Sequence, residues 1–286
     1  MHIPVMLDAA LSYLAVREDG IYLDVTAGMG GHTGAIAQRL ASGRVIACDL
    51  DAESLELAKR NTLAWQDRIL WHHGSFSDLR AALTAFAISR VDGLLADLGS
   101  SRFQLTESSR GFSFGSDGPL DMRMDRGQPL TASEIVNTIS EKQLADLIFQ
   151  YGQERRARKI ARAIVRARPI RSTLHLARVV ELAALRTGRL HPATQTFMAL
   201  RIAVNDELGQ LDRLLDTAPE LIRPEGRLVI ISFQSLEDRK VKQSFQSLAR
   251  QGQARILTKH VVRPAEDEIW ANPAARSAKL RALEML

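Results

Sequence analysis

Short apolar runs alternate with amphipathic stretches along the first hundred residues. Ile21 to Val25 is a compact apolar run carrying one acid and reads as a strand. The glycine-rich stretch Thr26 to His32 follows as a turn, and Thr33 to about Ala41 predicts a helix. The same pair recurs twice: Arg44–Asp49 as strand with Asp51 to about Leu63 as helix, then Arg68–His73 as strand with Ser77–Ile88 as helix. Val91–Leu98 predicts a fourth strand. Strands and helices taking turns at this spacing imply a parallel sheet covered by helices on both faces. The rhythm breaks at Gly99. The stretch Gly99–Leu130 is rich in Gly, Ser, Asp and Pro and is too long for an idle connection. From Ala132 to about Leu215 the pattern is helical, with no strand candidate. A strand returns at Arg227–Ser232 after the turn Arg223–Gly226, a helix follows at Leu236 to about Arg250, and Ala275–Leu286 reads as a final strand. The expected architecture is one α/β domain interrupted by a helical insertion. Its boundaries are set at 1–104 for the first part of the α/β domain, 105–212 for the inserted helical substrate-recognition domain and 213–286 for the second part.

Composition narrows the class. The chain has 286 residues, 45% hydrophobic and 25% charged, as in an ordinary globular protein. Aromatic residues at 5% leave room only for a small base-stacking surface. The net charge of +5, with a pI near 9.6, mildly favours a polyanionic partner. A single cysteine, Cys48, excludes an internal disulfide and a cysteine-based zinc site, and fits a reducing cytoplasm. No apolar run approaches the length of a membrane span, and the start lacks the basic-then-apolar pattern of a signal peptide. His72 and His73 are adjacent in a strand, point to opposite faces and make a poor metal pair, so no metal site is expected.

Candidate chemistry gathers at the ends of the predicted strands. Gly28, Gly30, Gly31 and His32 lie between the first strand and first helix, where glycines let backbone approach a ligand and a helix N-terminus offers free amides. Asp49, 21 residues after Gly28, stands where a carboxylate accepts hydrogen bonds from a ribose. A glycine turn with an acid at this distance suits either a dinucleotide or S-adenosylmethionine (SAM). Asp24 favours SAM, since an acid beside the turn repels a pyrophosphate and attracts a cationic ligand. The turn also lacks the full G-x-G-x-x-G spacing. Phe76, after the third strand, is expected near an adenine.

The fourth strand ends at Asp97, at the carboxyl edge of the sheet where ligands bind. Methyl transfer to an exocyclic amine needs alignment of the reacting atoms and an acceptor for the amine proton, which a carboxylate at this place supplies. Methylation at C5 of a pyrimidine needs a cysteine nucleophile, and Cys48 reads instead as a small buried hydrophobe. Arg155, Arg156, Arg158, Lys159, Arg162, Arg166, Arg168 and Arg171 occur without an intervening acid, on what reads as one helix ending before Pro169 with Ile160, Ala161, Ile164 and Val165 as its buried stripe. Such a face neutralises phosphates.

These residues stand among motifs that resemble the ribosomal small-subunit methyltransferase H family, formerly called MraW. The resemblance spans nearly the whole chain. It begins with His2–Leu7 and runs through Gly30-Gly31-His32, Asp97-Leu98-Gly99, Arg110–Phe114, Asp117–Asp125, Tyr151–Arg155, Ala199–Leu208, Ser235–Arg239 and Arg276–Arg281. It implies a Rossmann-like SAM-dependent methyltransferase domain with an inserted all-helical domain. It also implies N4 methylation of a cytidine in the decoding centre of 16S rRNA within the small ribosomal subunit. By matching positions it assigns SAM contacts to Gly30, Gly31, His32, Asp49, Phe76, Asp97 and Gln104. The loop Arg110–Asp125 is then expected to close over a flipped target base. Arg110 and Arg123 join Arg155, Arg156, Arg158, Lys159 and Arg162 as expected RNA contacts. A homodimer is compatible with the pattern. The chain departs from the family at Gln234, where a histidine is usual, and at Phe103, Met198 and Ala274, and it is short between Lys242 and Lys259. Those departures motivate two rival readings, a SAM-binding ribosome assembly factor that does not methylate and an enzyme acting on another RNA such as organellar small-subunit rRNA. A nicotinamide-dependent dehydrogenase is disfavoured by Asp24 and by the glycine spacing.

Overall fold

Seven strands form one sheet in the computed structural model, which describes residues 4–184 and 191–286. His2 and Ile3 of the opening motif, and residues 185–190 of the predicted helical stretch, lie outside the described residues. The strands are β1 (Ile21–Asp24), β2 (Arg44–Asp49), β3 (Ile69–His73), β4 (Val91–Asp97), β5 (Ile222–Ser232), β6 (Ala254–Ile256) and β7 (Lys279–Met285). Their order is β3-β2-β1-β4-β5-β7-β6, with the first five parallel and β7 antiparallel to both β5 and β6. This is a Rossmann-like sheet whose strand order reverses between β1 and β4, which opens a crevice at their carboxyl ends.

The helices are α1 (Leu7–Leu14), α2 (Gly31–Arg39), α3 (Ala52–Asn61), α4 (Leu79–Thr84), α5 (Arg102–Thr106), α6 (Ala132–Thr138), α7 (Glu141–Gly152), α8 (Ala157–Arg166), α9 (Thr173–Ala183), α10 (Thr194–Asn205), α11 (Glu207–Leu221), α12 (Ser235–Arg250) and α13 (Glu266–Ala271). The chain divides into two compact units, Met1–Gly99 with Leu208–Leu286, and Ser100–Glu207.

In the first unit, strands buried on both faces read as continuous apolar runs, because helices cover each side. Val91 to Ala96 of β4 are all buried. Leu23, Ile46, Leu94 and Ile230 face one layer with Leu79, Leu83, Leu211, Leu214, Val241 and Phe245. Val45, Leu95, Val229 and Ile231 face the other with Leu11, Leu14, Ile36 and Leu55. Adjacent residues such as Leu94 and Leu95 serve opposite layers, as the pleat requires. The amino ends of β1, β4 and β5 are held by one buried carboxylate. Asp92 accepts from Arg17 Nη2 (2.7 Å), the Ile21 backbone N–H (2.7 Å) and Arg223 Nη1 (2.8 Å). The turn expected at Arg223–Gly226 lies within β5 as a break in register between the pairs Val91–Ile222 and Gly93–Arg227. Pairing with β4 over the five residues Arg227–Ile231 follows the strand expected there.

The second unit packs α6 to α10 around Ile135, Leu144, Ile148, Ile160, Ile164, Leu176, Phe197 and Leu200. Its helix starts are signalled in sequence by capping boxes, Ser101 with Gln104, Thr131 with Glu134 and Ser140 with Gln143. The predicted lid gives way to a packed segment. Phe112, Leu120 and Met122 are buried, with Leu120 and Met122 in the helical core. Gly111 has φ +71°, and a Cβ there would sit 2.1 Å from the Pro119 carbonyl oxygen. Asn205 clasps the same segment, donating to the Met122 carbonyl (2.8 Å) and accepting from the Met124 N–H (2.7 Å).

Candidate active site

The carboxyl edge of the sheet in the first unit collects four acids. Asp24, Asp49 and Asp97 end β1, β2 and β4, and Glu237 lies in the first turn of α12 just after β5. Strand register brings the first three together: Asp24 is level with Ala47 on one side and Leu95 on the other. Among the described residues, no ion pair joins any of the three aspartates to a lysine or arginine.

Asp24 is 1% exposed and engages both oxygens internally, accepting from the Thr26 N–H (3.2 Å) and Thr33 Oγ1 (2.6 Å). It therefore shapes the glycine turn and presents its charge, with both oxygens already engaged, to the site. Asp49 accepts from the Gly28 N–H (2.7 Å) and the Asp51 N–H (2.9 Å), tying the turn to the end of β2. A carboxylate has about four lone-pair sites, so Asp49 retains capacity for hydroxyl donors. Burial pushes each of these two carboxyls up to about 6.

Asp97 is raised well above the ordinary carboxylate range, first by burial and then by the charges of Asp24 and Glu237. Its backbone N–H donates to Thr26 Oγ1 (2.6 Å), which fixes the strand end against the turn. Its Oδ1 is buried without a hydrogen-bond partner, and its Oδ2 lies 3.7 Å from His32 Nδ1. His32 is buried, with Nε2 3.1 Å from the Val5 carbonyl oxygen. A carbonyl only accepts, so Nε2 carries a proton and Nδ1 is the atom turned to Asp97.

The turn itself is built for close approach. Gly28 and Gly30 have φ of +53° and +85°, and a Cβ on Gly31 would meet Pro4 Cγ at 2.5 Å. Gly30 precedes α2, whose first-turn amides lack intrahelical acceptors. Phe76 is partly buried against the core that includes Leu79. Cys48 is buried, and its thiol is pushed up by burial and by Asp24 and Asp49, which removes it as a nucleophile. Among the described residues no group of three His, Cys, Asp or Glu side chains is arranged to hold a metal.

The remaining expected residues fall in the second unit. Gln104 is the third residue of α5; its Oε1 accepts from the Ser101 N–H (3.0 Å) in the capping box. Arg110 is 1% exposed, donates to the carbonyls of Arg123 (2.9 Å) and Met124 (3.3 Å), and stacks against Phe103 and Phe112. It is an internal brace, not an RNA contact, because its guanidinium satisfies backbone that the packed loop turns inward. Arg123 forms a two-pronged pair with Asp121 (2.8 Å on each prong) and donates to the carbonyls of Arg126 and Gln128. Arg156 is held the same way by the buried Glu154. Arg168 donates to the carbonyls of Val136 and Ile139, so it leaves the solvent-facing set. Arg155, Arg158, Lys159, Arg162 and Arg166 are exposed, the last four on α8, with Ile160, Ala161 and Ile164 buried beneath. Arg162 is paired with Glu141 at 3.3 Å.

Two residues at the site escaped the sequence reading. Thr26 and Thr33 hold Asp97 and Asp24, and only their positions flanking the glycines signal it. Glu237, which takes the N–H groups of Phe233 (3.0 Å) and Gln234 (3.1 Å), was legible as the acid three residues into a helix start.

The chain matches the model of the MraW methylase family over residues 1–286. It is 61% identical over 285 residues to the ribosomal RNA small subunit methyltransferase H of Solibacter usitatus, covering 100% of both chains. It is 50% identical to the protein of the same name from Acidobacterium capsulatum, covering 99% of this chain and 98% of that one. The Koribacter versatilis protein of that name is 49% identical over 98% of this chain and 93% of its own length.

Proposed function

The chain belongs to the MraW methylase family, and from that premise we propose that it transfers the methyl group of SAM to N4 of a cytidine in the decoding centre of 16S rRNA. The observation that carries this reading is the cluster of carboxylates at the switch point, Asp24 buried and Asp49 and Asp97 partly buried, left without a lysine or arginine partner among the described residues. Such a cluster is costly unless a cation completes it. SAM carries a sulfonium and an ammonium, and so fits the charge that the site lacks. Asp49 is the acceptor for its ribose hydroxyls, and the backbone of Gly28, Gly30 and Gly31 forms the floor beneath it. Phe76 is assigned to the adenine and Gln104 to the cofactor by family position. When bound, SAM supplies an activated methyl group on sulfur.

The protein's own work is placement and proton management. Asp97 Oδ1 accepts a hydrogen bond from the target amine and orients its lone pair. As the N–C bond forms, N4 becomes cationic, and Asp97 takes the proton it releases. His32 Nδ1, an acceptor 3.7 Å from Oδ2, faces the oxygen that takes up the proton. The rRNA partner is met by the exposed cations of α8. The test is nucleoside mass spectrometry on small subunits lacking the modification, incubated with the protein and SAM. N4-methylcytidine is expected, with Asp97→Ala lowering turnover at least a hundredfold while SAM still binds. Near-normal turnover by Asp97→Ala rejects its role, and absence of methylated cytidine with the unaltered protein rejects the reaction.

A further inference from the structure

Gln234 occupies the N-cap position of α12, where its side chain sits against the Glu237 backbone N–H in a loose capping box, without a hydrogen bond to its Oε1. Glutamine is a poor capping residue, and the capping work is done by Glu237, whose carboxylate takes the N–H groups of Phe233 and Gln234. The glutamine side chain stays beside this helix start. Its Oε1 is nevertheless buried and has no hydrogen-bond partner. A buried amide oxygen without a donor destabilises the fold, so its retention calls for a donor that arrives from outside.

The other orphan acceptor on this edge of the sheet is Asp97 Oδ1. The two residues follow the ends of adjacent strands. Asp97 pairs with Ile231, and the Leu98 N–H donates to the Ile231 carbonyl at 2.9 Å. One residue on, Gly99 has φ +110° and its Cβ position lies 3.6 Å from the Phe233 ring. The segments 97–99 and 231–234 therefore run side by side, each contributing one unsatisfied acceptor. The charge of Glu237, in the first turn after Gln234, reaches Asp97 as well.

We propose that Gln234 is a substrate-contacting specificity residue whose Oε1 and Asp97 Oδ1 accept the two protons of the exocyclic amine, and that this pairing limits the reaction to a single methyl group. The inference rests on the amine-methylating function proposed above. A primary amine satisfies both acceptors. Its lone pair is then directed away from both oxygens, toward the methyl donor. Bond formation from N4 to the methyl carbon proceeds as the carbon–sulfur bond breaks, with that electron pair leaving on sulfur. The resulting N4 cation loses one proton to Asp97 and keeps the other on Gln234. The product, a secondary amine, has one N–H. For a second transfer its methyl group must face one of the acceptors, which leaves a buried oxygen unpaired and slows that step by roughly ten- to a hundredfold. A uracil O4, itself an acceptor, meets two acceptors and is refused. An amide oxygen does this without titrating near neutrality, unlike the histidine usual at this position.

The experiment compares Gln234→Met, which keeps length and removes the acceptor, with Gln234→His, which restores one. Each is incubated with SAM and either unmodified small subunits or subunits already carrying N4-methylcytidine, and SAM affinity is followed by calorimetry. Gln234→Met is expected to bind SAM as the unaltered protein does, to lose roughly ten- to a hundredfold in kcat on unmodified subunits, and to yield N4,N4-dimethylcytidine from premethylated ones. Gln234→His is expected to restore the rate and the single product. If the Met variant fails to bind SAM, Gln234→Ala gives the same reading with a smaller side chain. An acceptor-less variant that binds SAM, turns over normally and stops at one methyl group overturns the inference while leaving the proposed function intact. An unaltered protein that methylates no cytidine overturns both.

Discussion

Asp24 and Asp49 are held by burial at a pKa of about 6, two groups whose ionisation a cationic ligand favours. The sign of the linkage follows directly. With folded pKa values above the unfolded ones, the folded protein without cofactor holds more protons between about pH 4 and 6. Their contribution to stability is present below the ordinary carboxylate range and is lost as pH rises through 6. SAM binding runs the other way, since its positive charge draws the carboxylates back to the ionised form. Its affinity is expected to rise about tenfold per pH unit for each proton released between pH 5 and 6, then to level off above 7. Calorimetry in buffers of different ionisation enthalpy measures the released protons, and a pH-independent affinity rejects the account. At this scale the sequence was informative about type and uneven about role. The places of Gly28, Asp49 and Asp97 were readable because the strand ends fix where their backbone goes. Arg110 was misread because an arginine in a polar loop looks solvated, and only the closed segment reveals that its guanidinium braces carbonyls.

At the level of elements, the amino end of the sheet depends on Asp92 as the opposite end depends on its acids. Asp92→Ala removes the acceptor for Arg17, Arg223 and the Ile21 N–H together. Both arginines already reach solvent, so the expected loss is about 2–3 kcal/mol, below the roughly 3–5 kcal/mol of a fully buried broken pair. Urea unfolding monitored by fluorescence checks it, and a loss under 0.5 kcal/mol denies the clamp. The first four strands lay open to sequence reading because each is a short apolar run bounded by turn residues, buried on both faces. Four elements did not. α1 starts at Leu7 after an N-cap, Met6, that makes no side-chain cap, α5 and α13 are 5 and 6 residues long, and β6 has 3 residues. Elements this short carry too little periodicity to be told from loop, and β6 owes its existence to pairing with β7.

Across the whole molecule, a net charge of +5 is modest, and its distribution matters more than its sum. The exposed cations on α8 predict a salt-sensitive affinity for the small subunit. Replacing Arg158 and Lys159 with glutamate is expected to weaken that affinity and flatten the slope of log K against log salt by about 1.5–2, at unchanged SAM binding. An unaltered slope in filter-binding titrations places the RNA elsewhere. The helical interruption was visible in sequence because strand candidates vanish after Gly99. Its margins were less so, since the chain passes between units at Gly99 and Glu207 within segments that read continuously as loop or helix. That interruption also sets a timetable for synthesis. β5 pairs with β4, yet all of Ser100–Glu207 is translated between them. At about 5–20 residues per second, roughly 6–25 s pass between the emergence of β4 and that of its neighbour. Throughout that interval the nascent chain carries a half-built sheet with a bare, sticky margin of unpaired amides and carbonyls. Asp97 gains the wall that holds Gln234 only in the final stretch of translation, so a ribosome that stalls early releases a chain prone to aggregate and without the two acceptors proposed to meet the amine.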